Sequence, residues 1–306
     1  MNKDVIIIGG GPAGLSAAIY AARGGLKALV MEKALPGGKL LSYDKIENYP
    51  GFTEGISSPQ LGQRFKNQAD NFGAEFVTEK AVSLSKDRDL FEVKTENAGD
   101  YKANSVIISC GTSRKKLGVS GEDEYVGKGV SYCAVCDGPL FKNREVAVVG
   151  GGNAACEEAI FLSKFARKVN LIHRRPELRA VECLRKKIER NEKIELILSE
   201  EVQEIRGNGM VKSLGLKKGG ELKVNGVFIY VGMQPNTGFV KGFLKTEDGF
   251  IVTAENLEAS VEGAYAAGDC RYGAMRQVIS ACGEGARAAE EARKYIEKKK
   301  GKAYDW

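Results

Sequence analysis

The sequence predicts an α/β protein built from two Rossmann-like dinucleotide-binding domains, the second inserted in the first. Three observations carry this. A short β-branched run, residues 4–8, leads at once into Gly9-Gly10-Gly11-Pro12-Ala13-Gly14 and a helical stretch of small residues. The same order returns after residues 145–149, as Gly150-Gly151-Gly152-Asn153-Ala154-Ala155 with its own helical run. The chain then closes on a long alanine-rich helix from about residue 277 to 299. Its length and composition suit packing back onto the first domain, so both ends of the chain build that domain.

A chain of 306 residues suits two domains rather than one. Hydrophobic content of 43% and charged content of 28% are those of a globular protein. The net charge of +6 is spread along the chain, with one run at Lys298-Lys299-Lys300 that suits a helix C-terminus. No basic stripe with interleaved aromatics occurs, so no nucleic acid partner is expected. No apolar run reaches membrane-spanning length, so no membrane partner is expected either and the cytoplasm is the expected compartment.

In the first unit, Gly9 permits the tight turn, Gly11 lets backbone approach a pyrophosphate, and Gly14 lets helix and strand pack closely. Pro12 and Ala13 open the helix, whose free N–H groups and positive dipole end suit phosphates. A second strand, residues 27–31, ends at Glu32, placed to accept from ribose hydroxyls of NAD or FAD. The irregular stretch 35–50, with Gly38 and Asn48, is long enough to be a functional loop. A helix follows to about residue 72, with Ser58 as its N-cap and Pro59 in its first turn. Segments 74–77, 81–84 and 90–93 read as a β-meander, and 105–109 as another buried strand.

Residues 112–129 are polar and glycine-punctuated, a linker in character, and 242–245 read as the return linker. The expected domains are thus 1–112 with 246–306, and 113–245. In the second unit the strand after the glycine loop ends in His173-Arg174-Arg175, with Arg179 beyond. Where the first unit has an acid, arginines accommodate a 2′-phosphate, so this site is expected to hold NADPH. Gly150, Gly152, Asn153 and Ala154 form its loop. Near the end of the chain, Gly268-Asp269 closes a short strand, a pattern suited to cofactor contact.

Between the two loops lies Cys133-Ala134-Val135-Cys136-Asp137. Two cysteines at this spacing can close a disulfide, and one thiol often has a lowered pKa. Zinc needs about four ligands, whereas the chain has one histidine and no second pair of this kind, so no metal is expected. The seven cysteines suggest no disulfide framework. A redox dithiol is the better reading, with Asp137 placed to move protons. NADPH delivers a hydride, a disulfide is a poor direct hydride acceptor, and a flavin bridges the two, which assigns FAD to the first site.

These motifs, with Arg276-Gln277, make the chain resemble the low-molecular-weight thioredoxin reductase family over essentially its whole length. The resemblance implies an NADPH-dependent flavoprotein that passes electrons through FAD and the dithiol to thioredoxin or a thioredoxin-like protein. It implies that Cys136 faces the flavin, that Cys133 attacks the partner disulfide, and that Asp137 is the acid–base residue. Gly268, Asp269, Arg276 and Gln277 would line the FAD. It also implies a homodimer, and rotation of the NADPH domain on two hinges. Lys39 departs from the family pattern, which has glutamine after Gly37-Gly38. Asn153-Ala154 and Val135 also depart from it. The alternatives are a ferredoxin-linked thioredoxin reductase of the same fold, a dithiol oxidase, and a redox-sensing binding module.

Overall fold

The computed structural model describes residues 3–43, 45–97 and 99–301. The chain divides into two compact units, residues 1–113 with 235–306, and residues 114–234. The first crossing lies between Ser113 and Arg114 and the second between Gln234 and Pro235. The second comes earlier than the predicted return at 242–245. Residues 235–245 belong to the first unit because Val240 and Leu244 are buried in its core and Thr237 Oγ1 donates to Gly249 O.

The first unit is built on a seven-stranded sheet. Lys3–Ile8 lies at its centre, parallel to Ala28–Glu32 on one side and to Asp100–Ile108 on the other. Val5, Ile6 and Ile7 are fully buried, as expected for a β-branched strand covered on both faces. Leu90–Thr95 and Ala81–Asp87 extend the sheet as an antiparallel meander. The third segment expected in that meander is not part of it. Glu75–Thr78 pairs in parallel with Ala28–Glu32 at the opposite edge, because the helix Ser58–Asn71 makes a crossover before it. The N-cap of that helix is Ser57, not Ser58, whose hydroxyl is buried without a partner. Ala264–Ala266 joins in parallel beside Asp100–Ile108, so a strand from the far end of the chain completes the sheet.

Over this sheet the helix Pro12–Arg23 packs against the closing helix Val278–Lys299. The approach depends on Gly285, where a Cβ would lie 2.0 Å from Ala13 O. This close approach is the reason for a glycine inside a helix, where it otherwise costs about 1 kcal/mol.

The second unit holds a five-stranded parallel sheet, in the order Val130–Ser131, Gly226–Ile229, Glu145–Val149, Lys168–His173, Ile194–Leu198. Val202–Asn208, Met210–Leu216 and Glu221–Lys223 form a separate antiparallel sheet. Most of the stretch expected as a linker is ordered as part of this unit. The Glu122 carboxylate accepts from the backbone N–H of Leu117 and Gly118 and from the Tyr132 hydroxyl. In both units the glycine loop leaves the carboxyl end of a strand flanked on each side, the switch point where such sheets bind ligands.

Candidate active site

Cys133 and Cys136 are disulfide-bonded, with Cα atoms 5.4 Å apart. They follow the edge strand Val130–Ser131, and Ala134–Asp137 forms one helical turn. The loop is tied at three points. Ser131 Oγ accepts from Cys133 N at 3.0 Å and donates to Asp137 Oδ2 at 2.6 Å. Cys133 Sγ accepts from Cys136 N at 3.2 Å. The Tyr230 hydroxyl accepts from Ala134 N at 3.0 Å. Ser131 and Tyr230 carried no sequence signal of a role here. Asp137, grouped with the cysteines from sequence, has its carboxylate on the Ser131 hydroxyl.

In the first unit Gly9 has φ of +107°, and a Cβ on Gly14 would meet Gly9 O at 1.8 Å. Gly11 is the N-cap of Pro12–Arg23 with no side-chain cap. Gly38 lies against it, where a Cβ would sit 2.9 Å from Gly11 Cα. The Glu32 carboxylate accepts from Gly10 N at 2.7 Å and Ala34 N at 3.2 Å. Backbone therefore fixes this acid beside the loop, with lone pairs to spare. Gly268 has φ of +76° and packs on Ala13, and Lys39 Nζ donates to Asp269 Oδ2 at 2.7 Å and to Thr112 Oγ1 at 2.5 Å. Asn48 Nδ2 donates to Gln277 Oε1 at 3.0 Å, joining the long loop to the start of the closing helix. Arg276, at φ +59°, lays its guanidinium over the Phe250 ring at 4.8 Å. The structure thus collects Gly9, Gly11, Pro12, Ala13, Gly14, Glu32, Gly38, Asp269 and Gly268 around one helix start.

In the second unit Gly152 is the uncapped N-cap of Asn153–Leu162, and a Cβ there would meet only open space. Asn153 Oδ1 accepts from Val181 N at 2.9 Å, so its side chain braces the next loop. Ala154 is exposed. His173 is buried with its ring against Gly151, and its Nε2 has no hydrogen-bond partner. Burial, then the charges of Arg179, Arg175 and Arg174, hold its pKa below the usual value. The three arginines are exposed, and Arg179 N donates to Gly151 O at 2.7 Å. That bond sets the arginine segment beside the glycine loop.

Two dinucleotide folds and one disulfide define a nucleotide-dependent disulfide oxidoreductase. The chain belongs to the pyridine nucleotide-disulphide oxidoreductase family, which it matches over residues 3–285. It is 44% identical to thioredoxin reductase of Listeria innocua over 306 residues, covering 97% of this chain and 95% of that one. It is 42% identical to thioredoxin reductase of Peptoclostridium acidaminophilum, covering 96% and 97%. Among solved structures it is similar to Lactococcus lactis thioredoxin reductase, with a TM-score of 0.94 at 38% identity, covering 97% of this chain and 100% of that one. The chain is a flavoprotein disulfide reductase, and its cofactors are FAD and NADPH.

The residues present fit both groups. Each unit offers an uncapped helix start behind a glycine turn, which suits a pyrophosphate. The first has a fixed carboxylate, and the second has three guanidinium groups in its place. Among the described residues no helix is long and apolar enough to cross a membrane.

Proposed function

We propose that this chain reduces the disulfide of thioredoxin, or of a thioredoxin-like protein, with electrons from NADPH. The observation that carries this reading is the closed Cys133–Cys136 pair, held by Ser131, Asp137 and Tyr230 in the same unit as the arginine-flanked nucleotide loop. When bound, FAD supplies a two-electron carrier between nicotinamide and disulfide. Gly9, Gly11, Pro12, Ala13, Gly14, Glu32, Gly38, Asn48, Gly268, Asp269, Arg276 and Gln277 would hold it. Gly150, Gly152, Asn153, Ala154, His173, Arg174, Arg175 and Arg179 would hold NADPH.

The chain's own chemistry is thiol exchange. With the pair reduced, the Cys133 thiolate attacks one sulfur of the partner disulfide. That bond breaks, a bond from Cys133 to the partner forms, and the departing sulfur takes a proton. Cys136 then attacks Cys133, releasing the partner's second thiol and closing the pair again. Asp137 supplies and removes the protons, and Ser131 orients its carboxylate. A homodimer and a cytoplasmic setting belong to the same reading, supported by the resemblance and, for the latter, by five free cysteines beside one disulfide. Analytical ultracentrifugation checks the first and cell fractionation the second.

The test is anaerobic titration of the holoenzyme with NADPH and, separately, NADH, followed by flavin absorbance. NADPH is expected to bleach the flavin at low excess, with NADH much weaker. Replacing Cys136 by serine is expected to lower steady-state thioredoxin reduction by about 10³-fold or more while leaving the flavin spectrum in place. Turnover surviving that change, or bleaching by neither nucleotide, would sink the proposal.

A further inference from the structure

A glutamate is buried behind the redox loop. Glu158 sits on the helix Asn153–Leu162 with its side chain 4% exposed. Arg114 Nη2 lies 3.4 Å from its Oε1, and the Arg114 guanidinium stacks over the Tyr230 ring at 4.0 Å. Arg114 therefore touches both the Glu158 carboxylate and the Tyr230 ring. The Tyr230 hydroxyl accepts from Ala134 N, the N–H between the two cysteines. A chain of contacts therefore runs from Glu158 through Arg114 and Tyr230 to the redox loop. The short helix Ala134–Asp137 also packs on the helix that carries Glu158.

A carboxylate at this depth is costly unless paired, and an apolar residue would fill the space at less cost. Its one ion-pair contact is long, and Arg114 Nη1 has no partner. Packing alone does not account for the choice of residue. We propose that Glu158 is a positioning residue for the redox pair: through Arg114 and Tyr230 it holds the backbone of Ala134, and it couples proton uptake inside the unit to opening of the Cys133–Cys136 bond. This rests on the reading that the pair is redox-active.

Burial pushes Glu158 up to about 7, although Arg114 and Tyr230 pull the other way and Glu157 adds to the rise. Those three are the groups that reach it. Beyond them, Asp137 stands on the short helix, and Arg185, with Nε buried, on the helix Glu182–Glu189 that also packs here. Near neutral pH Glu158 is thus poised to change state. When a dithiol supplies two electrons and two protons to open the disulfide, one of those protons can rest on Glu158 while one cysteine stays a thiolate: neutral Glu158 with a thiolate carries the same charge as the carboxylate with a thiol, so the step balances. By linkage, the state of Glu158 then changes how readily the bond opens.

The test equilibrates the holoenzyme with mixtures of reduced and oxidised dithiothreitol from about pH 5.5 to about pH 8.5. The reagent's two thiols become its cyclic disulfide as the Cys133–Cys136 bond is reduced. Alkylation and mass spectrometry then count open pairs. The wild-type midpoint is expected to change its slope against pH near the Glu158 transition. Glu158→Gln keeps the size of the side chain and an acceptor for Arg114 but removes the charge. It is expected to abolish that change of slope and to speed alkylation of the reduced pair about threefold to tenfold at about pH 8, because a like charge has gone. Tyr230→Phe leaves the Glu158–Arg114 pair in place and is expected to shrink the change of slope by half or more. A straight wild-type line, or a change of slope unaltered in both variants, overturns the proposal. Because dithiothreitol rather than NADPH opens the bond, an error in the donor assignment leaves this result intact.

Discussion

The two glycine loops share a backbone plan and differ in what surrounds them. The first is enclosed. Gly38 lies on Gly11, Gly285 brings the closing helix onto Ala13, and Glu32 is tied to the Gly10 N–H. The second is open at Gly152 and flanked by exposed arginines. An enclosed loop suits a cofactor that stays, and an open one with strong surface charges suits a cofactor that arrives and leaves each turnover. The same strand–turn–helix unit thus serves as a cradle or as a docking point according to what packs over it. Fold alone does not decide between these, because the difference lies in contacts from distant segments.

The sharpest way to break this comparison is a matched pair of changes. Gly14→Ala forces a Cβ to within 1.8 Å of the Gly9 carbonyl, so the helix must move off its strand. The expected cost is about 3 kcal/mol or more, with loss of bound FAD, measured by thermal unfolding and flavin content. Gly152→Ala meets open space and is expected to change stability by less than about 1 kcal/mol while weakening NADPH binding. Equal damage from both changes would defeat the contrast between enclosed and open loops.

A smaller effect sharpens the cofactor side. Replacing Arg175 and Arg179 by alanine is expected to raise KM for NADPH about 10- to 100-fold, the loss of charge-assisted hydrogen bonds worth roughly 1.5–3 kcal/mol. NADH, without the 2′-phosphate, should be nearly unaffected. An equal loss with both nucleotides would make these arginines a solvated face and nothing more.

The smallest effect is a pH dependence carried by His173. Its folded-state pKa is lowered, so the unfolded chain binds the proton more readily. Its contribution to stability is fully present above the unfolded value of about 6.5 and declines as pH falls through the lowered folded value. Melting between about pH 7.5 and about pH 5 should therefore show a steeper loss in wild type than in His173→Asn. The same slope in both would show that the buried ring does not set it.

Much of the site was legible because its signals are local. Strand, glycine turn and helix occupy consecutive residues, and Cys133 and Cys136 are three apart. Steric need is written directly at Gly9 and Gly14, whose neighbours lie within the same motif or strand pair. The helix cap at Ser58 misled because Ser57 and Ser58 are equally good candidates, and burial chose between them. The segment at 74–77 misled because its short pattern fits a parallel edge strand as well as a meander; pairing with Ala28–Glu32 decided it.

The sequence by itself determined two nucleotide units, one redox pair between them, and an acid in one unit against arginines in the other. These follow from the spacing of residue types along a few consecutive positions. The tertiary structure alone decided that Lys39 neutralises Asp269, 230 positions away, and that Tyr230 reaches Ala134 across 96. It alone buried Glu158 behind the redox loop. Such partners are invisible in the chain because hydrogen bonding and desolvation act through space, and only folding brings those atoms within 3 Å of one another or takes them out of water.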